Sequence, residues 1–198
     1  DVVYSLTNTC PFADAPLWNE TAEMWRNKGD IRDNWKSMSD IGFGVTRCAA
    51  FNKPGSWHDP DMLVIGKVGW GADNLHYTRL TPDEQYTHIS LWAMLGAPLL
   101  LGCDLTHLDP FTLSLITNNE VIDIDQDPLG CQGVPFWTSA SGNETIYVKP
   151  LEDGSLAVGL FNRGEKPAKI GFKPLSLGMW GEKSIRDLWR QRELGTFK

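Results

Sequence analysis

The chain of 198 residues contains no long hydrophobic run and no excess of basic residues. Its longest apolar segment, residues 93–103, is interrupted by Gly96 and Pro98, whereas a membrane-spanning helix needs about 18 or more consecutive apolar residues. The formal net charge is -7, and surfaces that bind nucleic acid carry clustered positive charge. We therefore expect neither a membrane nor a nucleic acid as a partner.

The chain also lacks the residue spacings that are typical of metal sites. Its four cysteines include no CxxC pair, and its four histidines form no HxH or HExxH pattern. Residues 123–130 resemble the start of a calcium loop, but Pro128 stands where such a loop needs glycine. We therefore expect no metal site and no cofactor. The sequence leaves open whether Cys10 and Cys48 form a disulfide.

Strand-like and helix-like segments alternate over the first two-thirds of the chain. Strands are predicted near residues 2–6, 25–31, 57–64 and 98–104, and helices near 16–24, 34–41, 81–95 and 110–116. This alternation is typical of an α/β fold with a parallel sheet and right-handed crossovers. The segment 98–104 has no polar alternation, which predicts a strand buried on both faces with Cys103 as a buried thiol. Thr81, followed by proline and then Glu84, predicts a capping box.

The pattern changes after residue 131. Short alternating segments follow at residues 145–149, 156–161 and 169–172, separated by turn sequences that are typical of antiparallel hairpins. We therefore predict two domains, residues 1–131 and residues 132–198. Asp1 leads directly into a predicted core strand, and residues 186–198 still have the character of structured chain. We expect that sequence is missing at both ends.

Polar and charged side chains follow several of the predicted strands. They are Asp30, Asp59, Asp61 and Asp104, with Arg26 close before Asp30, and Thr7 and Asn8 after the first strand. Ligands of parallel α/β sheets bind at the carboxyl ends of the strands. In an extended segment, Asp59 and Asp61 would point to the same face. A single aspartate is more often a cap or turn residue, but this set with an arginine suits acid–base chemistry on a glycosidic bond.

Two further features bear on the ligand and the location. The nine tryptophans suit either a carbohydrate site or a large core, and the sequence does not separate these alternatives. Asn19 and Asn143 begin Asn-X-Thr sequons. They favour a secreted, periplasmic or lysosome-like location.

Five segments together resemble glycoside hydrolase family 27, the melibiase-type alpha-galactosidases. They are residues 24–31, 57–66, 80–92, 97–100 and 121–130. In this order they extend over most of the chain. The resemblance implies the second half of a (β/α)8 TIM barrel followed by an antiparallel β-sandwich domain, truncated at both ends. The chain would begin near the fifth barrel strand.

The resemblance also implies a retaining glycosidase that releases terminal alpha-linked galactose. It makes Asp30, in the pattern W-R-x-x-x-D-I, the general acid/base, and it makes Arg26, Asp61 and Met62 substrate contacts. The family's nucleophile lies on the fourth barrel strand, which these residues do not include. The implied partners are a carbohydrate substrate and the missing N-terminal half of the barrel, without which we expect the isolated chain to be inactive.

Substrate specificity stays open at this stage. Thr7 and Asn8 lie in the loop after the fifth strand, where animal members of the family carry different residues. We expect these two residues to contact the sugar. A beta-L-arabinopyranoside, isomaltodextran or alpha-N-acetylgalactosamine remains an alternative substrate to galactose, and a catalytically inactive carbohydrate-binding relative is a further alternative.

Overall fold

Short parallel strands form the centre of the first part of the chain in the computed structural model, which describes residues 2–7, 11–69 and 74–197. Strands β1 (Ser5–Leu6), β2 (Met24–Arg26) and β3 (Trp57–Asp59) pair in that order, all in parallel. Beyond β3, Leu63 forms a parallel bridge with Leu101. The strand positions therefore follow one another in chain order, as the predicted half-barrel requires.

Five α-helices surround these strands in the described residues. They are α1 (Ala15–Thr21), α2 (Trp35–Gly42), α3 (Pro82–Leu95), α4 (Pro110–Ile116) and α5 (Asn119–Asp125), with 3-10 segments at Phe12–Asp14, Phe43–Ala50 and Leu105–His107. The predicted capping box is confirmed, because the Thr81 side chain accepts from the Glu84 amide while Glu84 Oε2 accepts from the Thr81 amide at 2.7 Å. No helix of the described ranges is both long and apolar enough to cross a membrane.

The segment 98–104 differs from the fully buried strand that its apolar sequence predicts. It forms only isolated bridges, and Leu100 and Leu101 are 42% and 40% exposed. On one side, Leu101 is bridged to Leu63. On the other side, no strand of the described residues pairs with the segment, so this edge is open and the two leucines are exposed. The expectation that Cys103 is buried is confirmed.

The second part of the chain is antiparallel. Strands β6 (Val134–Thr138), β7 (Glu144–Pro150) and β8 (Leu156–Asn162) form one sheet. Strand β9 (Lys183–Asp187) pairs with β10 (Arg192–Phe197) in a separate hairpin. In the first part of the chain, a short antiparallel pair, β4 (Lys67–Val68) and β5 (His76–Tyr77), precedes α3. The predicted strands at 145–149 and 156–161 are thus confirmed. The one at 169–172 is wrong, because that mostly exposed segment pairs with no strand in the described part of the chain.

The structure bears on the two glycosylation sequons and on the possible disulfide between Cys10 and Cys48. Asn19 is buried and its side-chain amide donates to the Phe51 carbonyl, so this sequon is not accessible, whereas Asn143 is exposed beside the β6–β7 turn. Cys48 is a free, buried thiol. Cys10 lies outside the described residues.

A buried lysine joins the two parts of the chain. Lys149, on β7, is fully buried, and its Nζ donates to the carbonyls of Ala93 at 3.1 Å and Ile124 at 2.5 Å. These carbonyls belong to the last turns of α3 and α5, where helices leave acceptors unused and carry partial negative charge. Burial lowers the pKa of Lys149 and raises the pKa of Asp125 to about 7.

The residues next to the predicted domain boundary also bond to the first part. The Gly133 amide donates to the Met94 carbonyl at 2.6 Å, and Gln132 Nε2 donates to the Thr46 carbonyl at 3.3 Å. The boundary at residue 131 therefore stays a prediction, since residues on both sides of it share hydrogen bonds.

Replacing Lys149 by methionine should lower the free energy of unfolding by about 2–4 kcal/mol. Methionine keeps most of the apolar stem but leaves the carbonyls of two helix ends without their charged donor. Urea denaturation measures this loss, and Lys166→Met, at an exposed lysine, is the matched control. An equal, small effect of both substitutions would contradict the role of Lys149.

Two histidines are buried and neutral. The amide of Val64 donates to His88 Nε2 at 3.2 Å, and Asn27 Nδ2 lies 2.7 Å from His58 Nδ1. Burial lowers the pKa of His58 to about 4 and that of His88 to about 3. Both values lie below the unperturbed histidine pKa of about 6.5, so the unfolded chain binds protons at a pH where the folded chain does not.

The stability that depends on neutral His58 should therefore be present above pH 6.5 and be lost as the pH falls toward 4. For His58 alone, we expect a loss of roughly 2 kcal/mol between pH 7 and pH 5. The test compares denaturation of the wild type with His58→Asn, which does not titrate. The variant should show the smaller pH dependence, and identical pH dependences would contradict this account.

Candidate active site

One arginine joins the predicted acid/base residue to the predicted sugar-binding aspartate. Arg26 is the last residue of β2, and its Nη2 lies 3.2 Å from Asp30 Oδ1 and 2.7 Å from Asp61 Oδ2. The side chains of Arg26 and Asp61 are 11% and 6% exposed, whereas that of Asp30 is 95% exposed. Charge-assisted bonds of this kind are strong and directional. Asp61 is thus fixed in the protein, while Asp30 faces solvent.

The chain brings these groups together through loops. The sequence predicts an extended segment at 25–31, but β2 ends at Arg26, and the chain turns through residues 27–30 to reach Asp30. Arg26 Nη2 also donates to the Lys28 carbonyl at 3.4 Å, so the guanidinium lies under this turn. Arg26 and Asp30 are thus in contact, but the extended geometry predicted for residues 25–31 is not observed.

The prediction that Asp59 and Asp61 share one face of an extended strand is wrong. Strand β3 ends at Asp59, and Asp61 has a φ of 90°, which is far from extended geometry. Pro60 has no amide hydrogen for a strand ladder, and Asp59 Oδ1 accepts a hydrogen bond from the Asp61 amide at 2.7 Å. This is the Asx-turn chemistry of aspartate, and it interrupts the extended backbone between β3 and the bridge of Leu63 to Leu101. Burial raises the pKa of Asp59.

Four residues donate hydrogen bonds that hold Asp61 in place. Besides Arg26, its Oδ2 accepts from the Ile31 amide at 2.8 Å, and its Oδ1 accepts from the Met62 amide at 2.8 Å. Its carbonyl accepts from Trp92 Nε1, also at 2.8 Å. The sequence did not indicate the contributions of Ile31 and Trp92. The first is a backbone contact without a side-chain signature, and the second is a core residue of α3.

Met62 lies beside Asp61 and is partly buried. A Cβ at Gly102 would lie 2.6 Å from Met62 Sδ, so a side chain at this position would displace Met62 from its place. Sequence reasoning did not identify Gly102, although a glycine within an apolar strand is a known sign of close approach. Thr7 is exposed and directly follows β1, at the same end of the sheet as Arg26. Asn8 lies outside the described residues.

Asp104 belongs to a turn. Its Oδ1 accepts from the Thr106 amide at 2.9 Å and from the Thr106 hydroxyl at 2.6 Å, and its Oδ2 lies 2.6 Å from His107 Nδ1. The Thr106 bonds lower the pKa of Asp104 to about 2. This aspartate thus has the capping role that is the usual one for the residue type.

The described residues contain no group of three or more His, Cys, Asp or Glu side chains placed to hold a metal ion. The acidic segment that resembles a calcium loop is helical up to Asp125, where α5 ends. What the site does offer is an exposed carboxyl group, a buried guanidinium and a buried carboxylate. Such a set can transfer a proton and bind hydroxyl groups.

Comparisons with known sequences give the same family for both parts of the chain. The family model "Alpha galactosidase A" matches residues 5–127, and "Alpha galactosidase C-terminal beta sandwich domain" matches residues 141–198. Alpha-galactosidase 2 of Arabidopsis thaliana is 39% identical over 188 residues, which are 93% of this chain and 44% of the plant protein. Human Alpha-galactosidase A is 39% identical over 145 residues, which are 71% of this chain and 31% of the human protein.

A solved structure shows the same fold. A GH27 beta-L-arabinopyranosidase from Geobacillus stearothermophilus matches with a TM-score of 0.90 at 31% identity, over 99% of this chain and 45% of that protein. This chain therefore spans less than half the length of the relatives compared here. The expected fold, part of a catalytic barrel followed by a β-sandwich, is confirmed. Since the first family match alone extends over most of the sequence, the chain belongs to glycoside hydrolase family 27, the alpha-galactosidase family.

Proposed function

We propose that this chain supplies the acid/base half of the active site of a retaining glycosidase that releases terminal alpha-linked galactose from oligosaccharides or glycans. The observation that carries the proposal is the guanidinium of Arg26, which is shared by the exposed Asp30 and the buried Asp61. The exposed carboxyl group is accessible to a glycosidic oxygen. The buried one accepts three bonds within the protein, and since a carboxylate has about four acceptor sites, one stays available for a sugar hydroxyl.

A retaining glycosidase needs a second carboxyl group as the nucleophile, about 5–5.5 Å from the acid/base. Asp61 is unsuited to that role, because its two oxygens already accept bonds from Arg26, Ile31 and Met62. Asp59 is buried and bonded to the Asp61 amide. We therefore assign the nucleophile to the N-terminal half of the barrel, which the family resemblance implies and which lies outside these residues.

In the proposed mechanism, Asp30 gives its proton to the glycosidic oxygen while the bond from that oxygen to the anomeric carbon breaks. The nucleophile forms a covalent bond to the same carbon, and the aglycone leaves as an alcohol. Asp30, now ionised, removes a proton from water, and the resulting hydroxide displaces the nucleophile. Arg26 orients Asp30, and Asp61 and Met62 line the sugar pocket.

A second candidate substrate is a beta-L-arabinopyranoside, and the similarity to the Geobacillus arabinopyranosidase favours it. This sugar has the ring-hydroxyl arrangement of alpha-D-galactose but lacks the hydroxymethyl group (C6) that galactose carries on C5. We propose that Thr7 and Asn8 contact the part of the sugar in which the two differ. The location in a secreted, periplasmic or lysosome-like compartment remains part of this proposal.

The direct test is a hydrolysis assay of the gene product that contains this chain, expressed with its flanking sequence. Nitrophenyl alpha-D-galactopyranoside and nitrophenyl beta-L-arabinopyranoside are compared at equal concentration. We expect the galactoside to be the better substrate by kcat/KM. The reverse order would assign the arabinopyranosidase function, and binding of galactose without hydrolysis of either compound would support a carbohydrate-binding relative.

Replacing Asp30 by asparagine should lower kcat on melibiose by roughly 10²–10⁴-fold, because protonation of the leaving oxygen is lost. Nitrophenyl substrates should lose less in the bond-breaking step, since nitrophenolate leaves without a proton. Asp40→Asn, at an exposed aspartate on α2, is the matched control and should keep wild-type kinetics. Equal losses on both substrate types would contradict the acid/base role of Asp30.

A further inference from the structure

We propose that Asp59 is a positioning residue that holds Asp61, and with it Met62, in the orientation that the sugar pocket needs. The inference rests on the proposed function to the extent that Asp61 and Met62 are taken as sugar contacts. Asp59 itself would not touch the sugar. It would act through the backbone of the residue two positions later.

The first observation is the backbone conformation of Asp61. Its φ of 90° lies in a region that favours glycine, and among the described non-glycine residues only Gln191 also has a positive φ, of 50°. A non-glycine residue in such a conformation is strained and persists only when its surroundings impose it. Something next to Asp61 must therefore hold it there.

The second observation identifies the group that holds it. Asp59 Oδ1 accepts a hydrogen bond from the Asp61 amide at 2.7 Å. Asp59 is itself anchored, because it is buried and ends β3 in register with Arg26 of β2. Pro60, between the two aspartates, has a restricted φ and contributes no donor of its own. Asp59 therefore holds the amide of Asp61, while other residues hold its carboxylate and carbonyl.

The third observation is what this conformation achieves. Asp61 directs its carboxylate toward Arg26 and Ile31 while its carbonyl accepts from Trp92 Nε1 at 2.8 Å. If Asp61 relaxed to extended geometry, the carboxylate and the carbonyl would not reach these partners together. Met62, the next residue, would turn with it. Asp30 would be less affected, since the loop after β2 carries it.

A direct contact of Asp59 with the sugar is the competing explanation. It needs a test of its own, because Oδ1 of Asp59 accepts from the Asp61 amide while a carboxylate has a second oxygen to offer. The two explanations differ in what asparagine does at this position. Asparagine keeps an oxygen that accepts the Asp61 amide, but it lacks the charge that a direct contact to sugar hydroxyls would use.

The experiment uses the gene product with its flanking sequence and two measurements. Calorimetry gives the affinity for galactose, and ¹⁵N NMR follows the indole N–H signal of Trp92, which reports its bond to the Asp61 carbonyl. Asp59→Ala should weaken galactose binding about 10-fold or more and shift the Trp92 signal. Asp59→Asn should keep both near wild type. In an Asp61→Ala background, Asp59→Ala should cause no further loss.

Three results would overturn the inference. One is a folded Asp59→Ala variant with an unshifted Trp92 signal, and another is an additive loss of affinity in the Asp61→Ala background. The third is a folded Asp59→Asn variant that loses galactose affinity, and this comparison stands even if Asp59→Ala does not fold. A wild type that binds no galactose would instead refute the proposed function, while the Trp92 signal would still test the positioning role.

Discussion

The guanidinium of Arg26 is the group on which the candidate site depends. It neutralises the buried carboxylate of Asp61 at 2.7 Å and reaches Asp30 at 3.2 Å. Removing one partner of a buried ion pair leaves an uncompensated charge, which costs about 3–5 kcal/mol. Arg26 thereby ties together the loops that follow two neighbouring strands. Together with the Ile31 amide, which also bonds to Asp61, this side chain fixes the relative position of the exposed and the buried carboxyl group.

This arrangement needs a rigid support, and buried polar groups contribute to it in both parts of the chain. His58 lies fully buried on β3, His88 lies fully buried on α3, and Lys149 holds the ends of two helices against β7. Burying these groups is costly unless hydrogen bonds compensate, and the bonds of one ring nitrogen of each histidine and of Lys149 Nζ favour this packing arrangement over the alternatives. Trp92 links the support to the site directly, since its indole donates to the Asp61 carbonyl.

Local signals in the sequence predict much of the fold and part of the site. The capping box at Thr81 needs only neighbouring residues, and it was predicted correctly. The geometry around Asp61 was not predictable, because it depends on the Ile31 amide and on Trp92, which are distant in sequence. The exposure of the segment 98–104 was not predictable either. Its apolar composition indicates burial on both faces, although Leu100 and Leu101 are exposed. The strands β9 and β10 were not predicted, because their sequence carries many charged residues and lacks a clear apolar alternation.

A crystal structure of the gene product with galactose is the most direct test of the central claim, that Arg26, Asp30 and Asp61 form the sugar-binding and acid/base side of one active site. We predict a galactose whose hydroxyl groups bond to Asp61 and whose anomeric oxygen lies within hydrogen-bonding distance of Asp30. The Asp61 backbone should keep its positive φ in the complex. A sugar bound elsewhere, or in this pocket with its anomeric carbon turned away from Asp30, would contradict the account.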